Sequence, residues 1–415
     1  MRTVGLITEY NPFHMGHRLH LMESLRLSEA DRSVCIMSGS FVQRGEPAIV
    51  DKWTRARMAI DSGVDLVLEL PFVFSTQSAE IFSYGAVRLL DATNSVSHLA
   101  FGSEEVKVDI LEPIAKLLVT ESEDFSTILK KNLSSGLSFS SARSLAVSEI
   151  LGKMGHDQKL IEETISKPNN ILGIEYLKAL IRLKSSIRPV TFMRKGHGYK
   201  DISTNLGIAS ATAIRQLLLS NDFSGVEDLL PEISYSLLVK FFSEYKTFNY
   251  LDNYSETIKY VLRLKSAEEL SLYMDMETGL ENRLKRISSE VTTAENLVER
   301  TTTKRYPGTR IRRLLVHILT DLKADSIKHA LTSKPEYIRV LASNYKGFEI
   351  INEIKKNSDL KIITKFSDAY SGLSETSKAM LEKEVLATDL YYLGLRGSAN
   401  TYGMDYLVSP YVLRK

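Results

Sequence analysis

The chain has 415 residues, of which 43% are hydrophobic and 25% charged, an ordinary globular composition that excludes a disordered tail, a collagen-like fibre and a coiled coil. Lysine and arginine (53 residues) nearly balance aspartate and glutamate (51 residues), so the net charge of +2 indicates no particular partner. The single cysteine, Cys35, excludes a disulfide framework and favours a cytoplasmic protein, and no run of about 18 apolar residues predicts a membrane span.

The first hundred residues alternate between apolar runs and helical patterns. Runs at 4–7, 33–38, 64–70 and 97–103 predict short strands buried on both faces, and the stretches 17–29, 51–63 and 77–93 predict helices between them. Asp51 and Gly63 are typical of the N-terminal and C-terminal caps of the second helix. Cys35, inside the second run, is expected to be a small buried hydrophobe. The alternation predicts an α/β fold with a doubly wound parallel sheet.

After residue 104 the pattern becomes mainly helical. A helical insertion is expected over about 106–186, a strand over 187–196, and a helix over 208–220 with a cap at Ser210. Beyond this point amphipathic helices dominate, with few strand signals. We therefore expect a catalytic α/β domain over 1–225 and a mainly α-helical domain over 226–415.

The segment "EYNPFHMGH" separates the first predicted strand from the first helix. A helix N-terminus presents unpaired N–H groups and a partial positive charge, which suit a phosphate. The imidazoles of His14 and His17 can donate hydrogen bonds to phosphate oxygens while charge builds up in a displacement at phosphorus. Gly16, which lacks a Cβ, lets a nucleotide approach the backbone. His14 and His17 are therefore predicted to be catalytic, the alternative being two histidines satisfied within a structural loop.

These motifs carry a resemblance. A strand, an HxGH loop and a helix resemble the start of the HIGH-signature nucleotidyltransferases, and "SATAIR" (210–215) resembles the second signature of that superfamily. More narrowly, "GLITEYNPFHMGH", "MSGSFVQRGEPAIVDKWTRARMA", "LELPF", "FGSE" and "KPNNILGIEYL" are together similar to the bacterial tRNA(Met) cytidine acetate ligase family. The resemblance is dense over residues 1–220 and implies a Rossmann-like, HIGH-type nucleotidyltransferase domain.

The resemblance also implies a reaction in two steps. Acetate and ATP form acetyl-adenylate and release pyrophosphate, and the acetyl group then passes to N4 of the wobble cytidine of elongator tRNA(Met), giving N4-acetylcytidine. Magnesium is expected to enter as Mg-ATP. No protein metal ligand is predicted, because no carboxylate or Cys/His cluster has metal-ligand spacing.

The residues implied to bind ATP lie in the loop after the first strand, at later strand ends or at helix starts. His20 fits packing or capping better than chemistry, and Asn169 fits a helix N-cap equally well. The expected set is Ile7, Thr8, Glu9, Tyr10, Asn11, Pro12, Phe13, His14, Met15, Gly16, His17, Arg18, Leu19 and His20 around the nucleotide, Gly102 against adenosine, Asn169 and Asn170 as amide donors, Arg194 and Lys195 at phosphate oxygens, and Ser210, Thr212 and Arg215 at the leaving phosphates.

A second loop, "SGSFVQRGEPAIVDKW", is long, polar and interrupted by glycine. Loops of this kind at a strand end often carry function. Gln43, Arg44 and Lys52 are therefore expected to meet acetate or the cytidine.

The C-terminal half contains one strongly basic segment. Residues 300–346 hold eleven lysines and arginines against three acidic residues, an excess of +8 in a chain whose total is +2. A basic cluster with an aromatic side chain is typical of contacts to an RNA backbone, whereas a solvated helix face is the alternative. The resemblance favours RNA, and the expected tRNA-binding residues are Lys304, Arg305, Tyr306, Arg310, Arg312 and Arg313.

Two other functions stay open at this point. A nucleotidylyltransferase that acts on a small phosphorylated metabolite shares the HxGH and SATAIR motifs but leaves the basic segment unexplained. A non-catalytic RNA-binding protein on the same fold explains the basic segment but not the retention of both histidines and Arg215. An aminoacyl-tRNA synthetase fits less well, because no KMSKS-like lysine loop is present.

Overall fold

The computed structural model describes residues 1–104, 108–193, 209–395 and 402–414. The sheet-forming segments alternate with helices in the first half of the chain and recur near its end. The strands are β1 (Thr3–Thr8), β2 (Arg32–Ser38), β3 (Phe41–Val42), β4 (Glu46–Pro47), β5 (Leu66–Leu70), β6 (His98–Ser103), β7 (Arg188–Met193), β8 (Tyr337–Ser343), β9 (Lys361–Ile363) and β10 (Tyr411–Val412).

Helices fill most of the remaining chain. They are α1 (Met15–Ser28), α2 (Lys52–Asp61), α3 (Phe72–Ser75), α4 (Ala79–Ala92), α5 (Val108–Thr120), α6 (Glu123–Ser134), α7 (Phe139–Lys153), α8 (Gln158–Ser166), α9 (Pro168–Leu183), α10 (Ala211–Leu219), α11 (Glu232–Tyr245), α12 (Ser255–Leu264), α13 (Ala267–Leu270), α14 (Leu280–Ser288), α15 (Ala294–Thr301), α16 (Gly308–Leu319), α17 (Ala324–Thr332), α18 (Tyr345–Asn357), α19 (Glu375–Leu393) and α20 (Met404–Leu407).

Five parallel strands form the centre of the sheet, in the order β5–β2–β1–β6–β7. Strands β2 and β5 are buried at every residue, as expected for strands covered on both faces. The predicted α/β fold with a doubly wound, mainly parallel sheet is confirmed. The helical insertion is also present, because α5 to α9 lie between β6 and β7.

The C-terminal half differs from the expectation in one respect. It is mainly helical, but β8 pairs antiparallel with β5, and β9 and β10 both pair with β8, so that the sheet continues into this half. The sequence signal was obscured because β8 carries Arg339 in its middle, and this arginine is only 4% exposed. The boundary near residue 225 stays a prediction, and the sheet takes strands from both sides of it.

Local caps account for several helix ends. Asp51 accepts hydrogen bonds from the N–H groups of Trp53 and Thr54, both at 2.9 Å, and Ser210 accepts one from Ala213 at 3.2 Å. Gly63 follows the end of α2 with a φ of +109°, which a residue with a Cβ adopts only with strain. The capping roles of these three residues are confirmed.

Candidate active site

The strand order reverses direction at β1, which makes its carboxyl end the natural ligand position. From β1 the chain proceeds to β2 and β5 on one side, and to β6 and β7 on the other. Open α/β sheets bind ligands at such a switch point, outside the carboxyl ends of the strands. The loop that carries the HxGH motif begins after Thr8, the last residue of β1. Strand β6 is paired with β1, and Glu104 is the first residue after β6.

His14 and His17 form a reciprocal cap at the start of α1. The Nδ1 atom of His14 accepts a hydrogen bond from Gly16 N at 3.1 Å, and the Nδ1 atom of His17 accepts one from His14 N at 3.2 Å. The ring centroids are 3.7 Å apart. Because both Nδ1 atoms accept from backbone N–H groups, each neutral ring carries its proton on Nε2. The two rings can therefore each present an Nε2–H donor.

Aromatic side chains support this histidine pair. The ring of Tyr10 lies 4.7 Å from that of Phe13 and 5.0 Å from that of His17, and both Tyr10 and Phe13 are at most 1% exposed. His14 is 4% exposed and His17 is half-buried. Tyr10 and Phe13 were expected around the nucleotide, but their side chains belong to the hydrophobic core. These two buried rings hold the loop against the core and thereby fix the position of the histidine pair.

Other members of the loop are also structural. Asn11 accepts a hydrogen bond from Ile49 N through Oδ1 at 2.7 Å, and the Thr8 hydroxyl lies 2.8 Å from Cys35 Sγ. Burial raises the pKa of Cys35 to about 12, so it is a neutral thiol near neutral pH. The expectation that Cys35 is a small buried hydrophobe is confirmed.

The remaining residues of segment 7–20 differ in exposure. The ring of His20 lies 5.1 Å from that of Phe192, in agreement with a packing role. Arg18 and Leu19 are exposed on the first turns of α1. Of the rest, Ile7, Met15 and Gly16 are half-buried and Pro12 is buried.

The second signature meets the first through one arginine. Arg215, on α10, donates from Nη1 to the carbonyl oxygen of Asn11 at 3.0 Å, and its Nη2 lies 3.4 Å from Thr212 Oγ1. The same Nη2 is 3.8 Å from a carboxylate oxygen of Glu46. Residues more than 200 positions apart in sequence therefore converge beside the HxGH loop, as the SATAIR resemblance implies.

The hairpin β3–β4 lies against the same loop. Gln43 N donates to Glu9 Oε1 at 2.7 Å, and the Gln43 side-chain amide donates to the Gln77 carbonyl oxygen at 2.9 Å. Burial raises the pKa of Glu9 above its ordinary value. The Gln43 N–H and the positive charges of Arg215 and Arg44 oppose this shift without cancelling it. Gln43 and Arg44 thus lie next to the HxGH loop, and their contact with acetate or the cytidine stays a prediction.

Arg55 organises this edge of the sheet, and sequence reasoning missed it. Its side chain is fully buried and donates to the carbonyl oxygens of Val50 at 3.1 Å, Glu9 at 2.6 Å and Ser38 at 3.0 Å, with a further short contact to Gly39. It therefore joins the ends of β1 and β2 to α2. The sequence places Arg55 on the helix that Asp51 caps, one turn after this cap. Nothing in the neighbouring residues indicates, however, that the arginine is buried.

Lys52 was expected to meet acetate or the cytidine, and the structure contradicts this. Its side chain is fully buried, with Nζ 2.9 Å from Glu69, 2.7 Å from Asp405 and 3.0 Å from the Thr388 hydroxyl. Arg339 pairs with the same two carboxylates. We call this group the buried ion cluster. Lys52 is committed to carboxylates from distant segments and is not available to a substrate.

The two asparagines after Pro168 have different environments. Asn170 is fully buried, with Oδ1 accepting from Glu104 N at 2.8 Å and Nδ2 donating to the Thr164 carbonyl oxygen at 3.2 Å, so its predicted role as an amide donor to ATP is wrong. Asn169 is half-buried and donates to a carboxylate oxygen of Glu104 at 2.5 Å. Since α9 begins at Pro168, Asn169 is not its N-cap.

Gly102 pairs with Phe192 on the edge strand β7, in the last third of β6. This position near the carboxyl end of β6 agrees with a close approach of a ligand to the backbone. Arg194 and Lys195 were expected to reach phosphate oxygens, and both lie outside the described residues.

The predicted RNA-binding segment at the start of α16 is paired with carboxylates. Arg310 lies 2.9 Å from Glu277, Arg312 lies 2.6 Å from Glu295, and Arg313 lies 4.0 Å from Asp275. Arg305 and the Tyr306 hydroxyl also contact Glu277. These acidic partners precede the segment in sequence, so a count over 300–346 missed them. Lys304 is exposed and has no ion-pair partner among the described residues.

The backbone at the start of α16 also lies close to the β3–β4 hairpin. A Cβ on Gly45, whose φ is +78°, would lie 2.2 Å from Arg313 N, and Arg312 lies 3.7 Å from Glu46. Only glycine allows this approach. The start of α16 therefore supports the hairpin that borders the HxGH loop.

Within 1–104, 108–193, 209–395 and 402–414, no three histidine, cysteine or acidic side chains come together as metal ligands would. In the same part of the chain, no helix is both long and apolar enough to cross a bilayer.

Comparison with known proteins identifies the family. A family model described as HIGH Nucleotidyl Transferase matches residues 1–404. The chain is 43% identical over 399 residues to the tRNA(Met) cytidine acetate ligase of Caldanaerobacter subterraneus subsp. tengcongensis, covering 96% of this chain and 97% of that protein. It is 39% identical over 419 residues to the tRNA(Met) cytidine acetate ligase of Clostridium perfringens, with 100% of both covered.

Solved structures agree with this result over the whole chain. The crystal structure of Thermotoga maritima TmcAL in its apo form I has a TM-score of 0.95 at 33% identity, and the form bound with alpha-thio ATP has a TM-score of 0.93 at 32% identity, each covering 100% of both chains. The chain belongs to the HIGH nucleotidyl transferase family and, within it, to the tRNA(Met) cytidine acetate ligases.

Proposed function

We propose that this chain ligates acetate to N4 of the wobble cytidine of elongator tRNA(Met), with conversion of ATP to AMP and pyrophosphate. The pair of imidazoles at the start of α1 carries the proposal, because both Nδ1 atoms accept backbone N–H groups at the switch point of the sheet, which places the proton of each neutral ring on Nε2. Identity to ligases of that name over nearly the full chain supports it, as does the likeness to TmcAL bound with alpha-thio ATP.

In the first step a carboxylate oxygen of acetate attacks the α-phosphorus of ATP. The bond from that phosphorus to the oxygen bridging to the β-phosphate breaks, and its electron pair leaves with pyrophosphate. The Nε2–H groups of His14 and His17 donate to the α-phosphate oxygens, whose charge grows in the crowded transition state. Mg-ATP is the expected form of the nucleotide, in which the ion would neutralise charge on the phosphates, and no described residue is assigned as its ligand.

Neighbouring residues position the reactants. Arg215 is oriented by its hydrogen bond to the Asn11 carbonyl oxygen, and Ser210 and Thr212 lie on the same helix start, so all three are assigned to the leaving phosphates. Arg44 and Gln43, on the hairpin, are assigned to acetate or the cytidine. Gly102, near the carboxyl end of β6, is assigned to the adenosine side of the nucleotide.

In the second step the cytidine N4 attacks the carbonyl carbon of acetyl-adenylate. A nitrogen–carbon bond forms, the bond from that carbon to the phosphate oxygen breaks, AMP leaves with the electron pair, and the nitrogen releases one proton. A base in an anticodon loop is already unpaired, so little energy is needed to present it. Lys304 and Arg305 are assigned to the RNA backbone, since they are the most exposed cations of their segment.

The test uses purified protein, labelled acetate, ATP and bulk bacterial tRNA. Label that enters one tRNA species, with equimolar AMP, is the expected result. ATP turnover that depends on a small phosphorylated metabolite, and not on RNA, would favour a nucleotidylyltransferase instead. RNA binding without any ATP turnover would reduce the protein to an RNA-binding scaffold.

A further inference from the structure

A cavity of about 540 Å³ opens beside α2. Its walls come from α2, from α11 and from the C-terminal segment around β10. A volume in the range of about 300–1,000 Å³ is typical of small-molecule and cofactor sites. The lining residues that matter here are Trp53, Arg57, Lys240, Tyr245, Tyr411 and Arg414.

Aromatic side chains form part of the wall and are held in place. Tyr411 donates its hydroxyl to Asp61 at 2.8 Å, and the guanidinium carbon of Arg57 lies 5.0 Å from the centroid of the Tyr411 ring. Trp53 and Tyr245 are at most 8% exposed and are therefore packed within the wall, whereas Tyr411 is half-buried. Tyr411 is thus the ring of this wall that a planar ligand can reach, and a fixed ring can stack on a nucleic-acid base with little loss of rotamer freedom.

The rim of the cavity carries cations that the protein does not neutralise. Lys240 and Arg414 are exposed, and the structure records no ion pair for either of them within its described segments. Of the two acidic lining residues, Asp51 is occupied as the cap of α2, which leaves Glu244 as the exposed carboxylate. The start of α16 shows the opposite arrangement, because carboxylates pair with its arginines.

The cavity is close to the HxGH loop along the chain. Ile49 N donates to Asn11 Oδ1 at 2.7 Å, and Asp51, two residues later, lines the cavity. Two residues span at most about 7 Å. A polymer bound in the cavity would therefore lie near the HxGH loop, because the segment 49–51 joins the two through the hydrogen bond from Ile49 to Asn11.

We propose that this cavity binds an unpaired nucleotide of the RNA substrate other than the reacting cytidine. The base stacks on Tyr411, and the adjoining phosphates meet Lys240 and Arg414. The proposal rests on the proposed function in one respect, namely that the substrate is RNA. Aromatic stacking combined with cations along the backbone is how single-stranded nucleic acid is generally held.

The single tryptophan allows a direct test. Trp53 is the only tryptophan in the chain, so its fluorescence reports on the cavity alone. A titration of the full-length protein with tRNA(Met) is expected to change the emission with the same midpoint as binding measured by anisotropy of labelled tRNA. RNA binding with unchanged emission would overturn the proposal. An equal change with cytidine monophosphate or ATP, and none with RNA, would also overturn it by indicating a small-molecule site.

Substitutions separate this cavity from the catalytic loop. Lys240→Gln and Arg414→Gln should each raise the Kd for tRNA by about 3- to 10-fold and reduce the salt slope of binding by about one. Lys130→Gln, on the exposed surface of α6, is the matched control and should leave both unchanged.

Acetate-dependent exchange of pyrophosphate into ATP, measured without RNA, should be normal in all three variants. Loss of that exchange in the unsubstituted protein would instead contradict the proposed function. Unaltered tRNA affinity and salt slope in both Lys240→Gln and Arg414→Gln would remove the cavity from the RNA-binding surface.

Discussion

The loop after β1 and the start of α16 both contain basic and aromatic residues, yet their chemistry differs. In the loop, the Nδ1 atoms of His14 and His17 accept hydrogen bonds from backbone N–H groups two or three residues away, which places the proton of each neutral ring on Nε2. At the start of α16, Arg310 and Arg312 are satisfied by carboxylates of other helices and loops. The local hydrogen bonds of the HxGH motif can be anticipated from neighbouring residues, whereas a charge cluster can be neutralised by residues that no local window includes.

The buried ion cluster extends this contrast. Lys52 directly follows a polar loop and has the appearance of a ligand, but its partners Glu69 and Asp405 lie 17 and 353 positions later. If distant partners fix which charges are available, removing them should change stability and RNA affinity, whereas changes to the locally bonded histidines should affect catalysis alone.

Removal of the Lys52 charge should cost the most stability. Lys52→Met leaves Glu69 and Asp405 with only Arg339, and loss of one partner from a buried ion network costs about 3–5 kcal/mol. The free energy of unfolding in urea measures this loss. Lys130→Met, an exposed lysine, is the control and should change it by less than about 0.5 kcal/mol. If folded Lys52→Met shows a KM for acetate raised tenfold or more, Lys52 is a substrate ligand after all.

The imidazoles can be removed without removing their caps. His14→Asn retains an N-cap acceptor and His17→Gln retains the reciprocal bond of a capping box. Each should lower the rate of acetate-dependent pyrophosphate exchange by about 10²–10³-fold, as loss of a donor to a transition-state oxyanion does. Thermal unfolding should stay close to that of the unsubstituted protein. Near-normal exchange in both variants would show that the histidines only cap the helix.

Glu384 should make stability depend on pH. Burial and the charge of Glu69 raise its pKa from 4.5 to about 8, and the Tyr337 hydroxyl donates to it at 2.6 Å. Because the folded protein keeps a proton that the unfolded chain releases, stability falls as pH rises from about 4.5 to 8, by at most about 1.4 kcal/mol per unit. Glu384→Gln should abolish this slope in urea unfolding between pH 6 and 8. Parallel slopes for the two proteins would contradict it.

Removing a carboxylate that neutralises the arginines at the start of α16 should have the smallest effect, a modest change in tRNA affinity. Glu277→Gln removes the carboxylate that pairs with Arg305 and Arg310, and its pKa is held below the ordinary value by these arginines against the effect of burial. If the segment faces RNA, the freed charge should tighten tRNA binding by about two- to threefold at low salt. Lys304→Glu should weaken it to a similar extent. No response to either change would exclude this segment from the tRNA interface.

Much of the fold could be predicted because it is periodic. The strands β1, β2, β5 and β6 and the intervening helices follow hydrophobic patterns that depend only on neighbouring residues. The misses have a common cause. Strand β8 carries a buried arginine, Arg339, whose charge is compensated by Glu69 and Asp405 from distant segments. Asn170 was predicted to be a ligand because its sequence neighbours do not reveal the hydrogen bonds of its amide to Glu104 and Thr164.

The sequence by itself determined the α/β class, the helical insertion and the histidine cap, since each depends on hydrogen bonds and periodicities that close within a few residues. Only the tertiary structure decided which charges remain available. Arg55 and Lys52 became buried supports and the arginines of α16 became paired, because a charge removed from water must find its counter-charge or carbonyl wherever the fold brings one. The cations of Lys240 and Arg414 stayed in solvent.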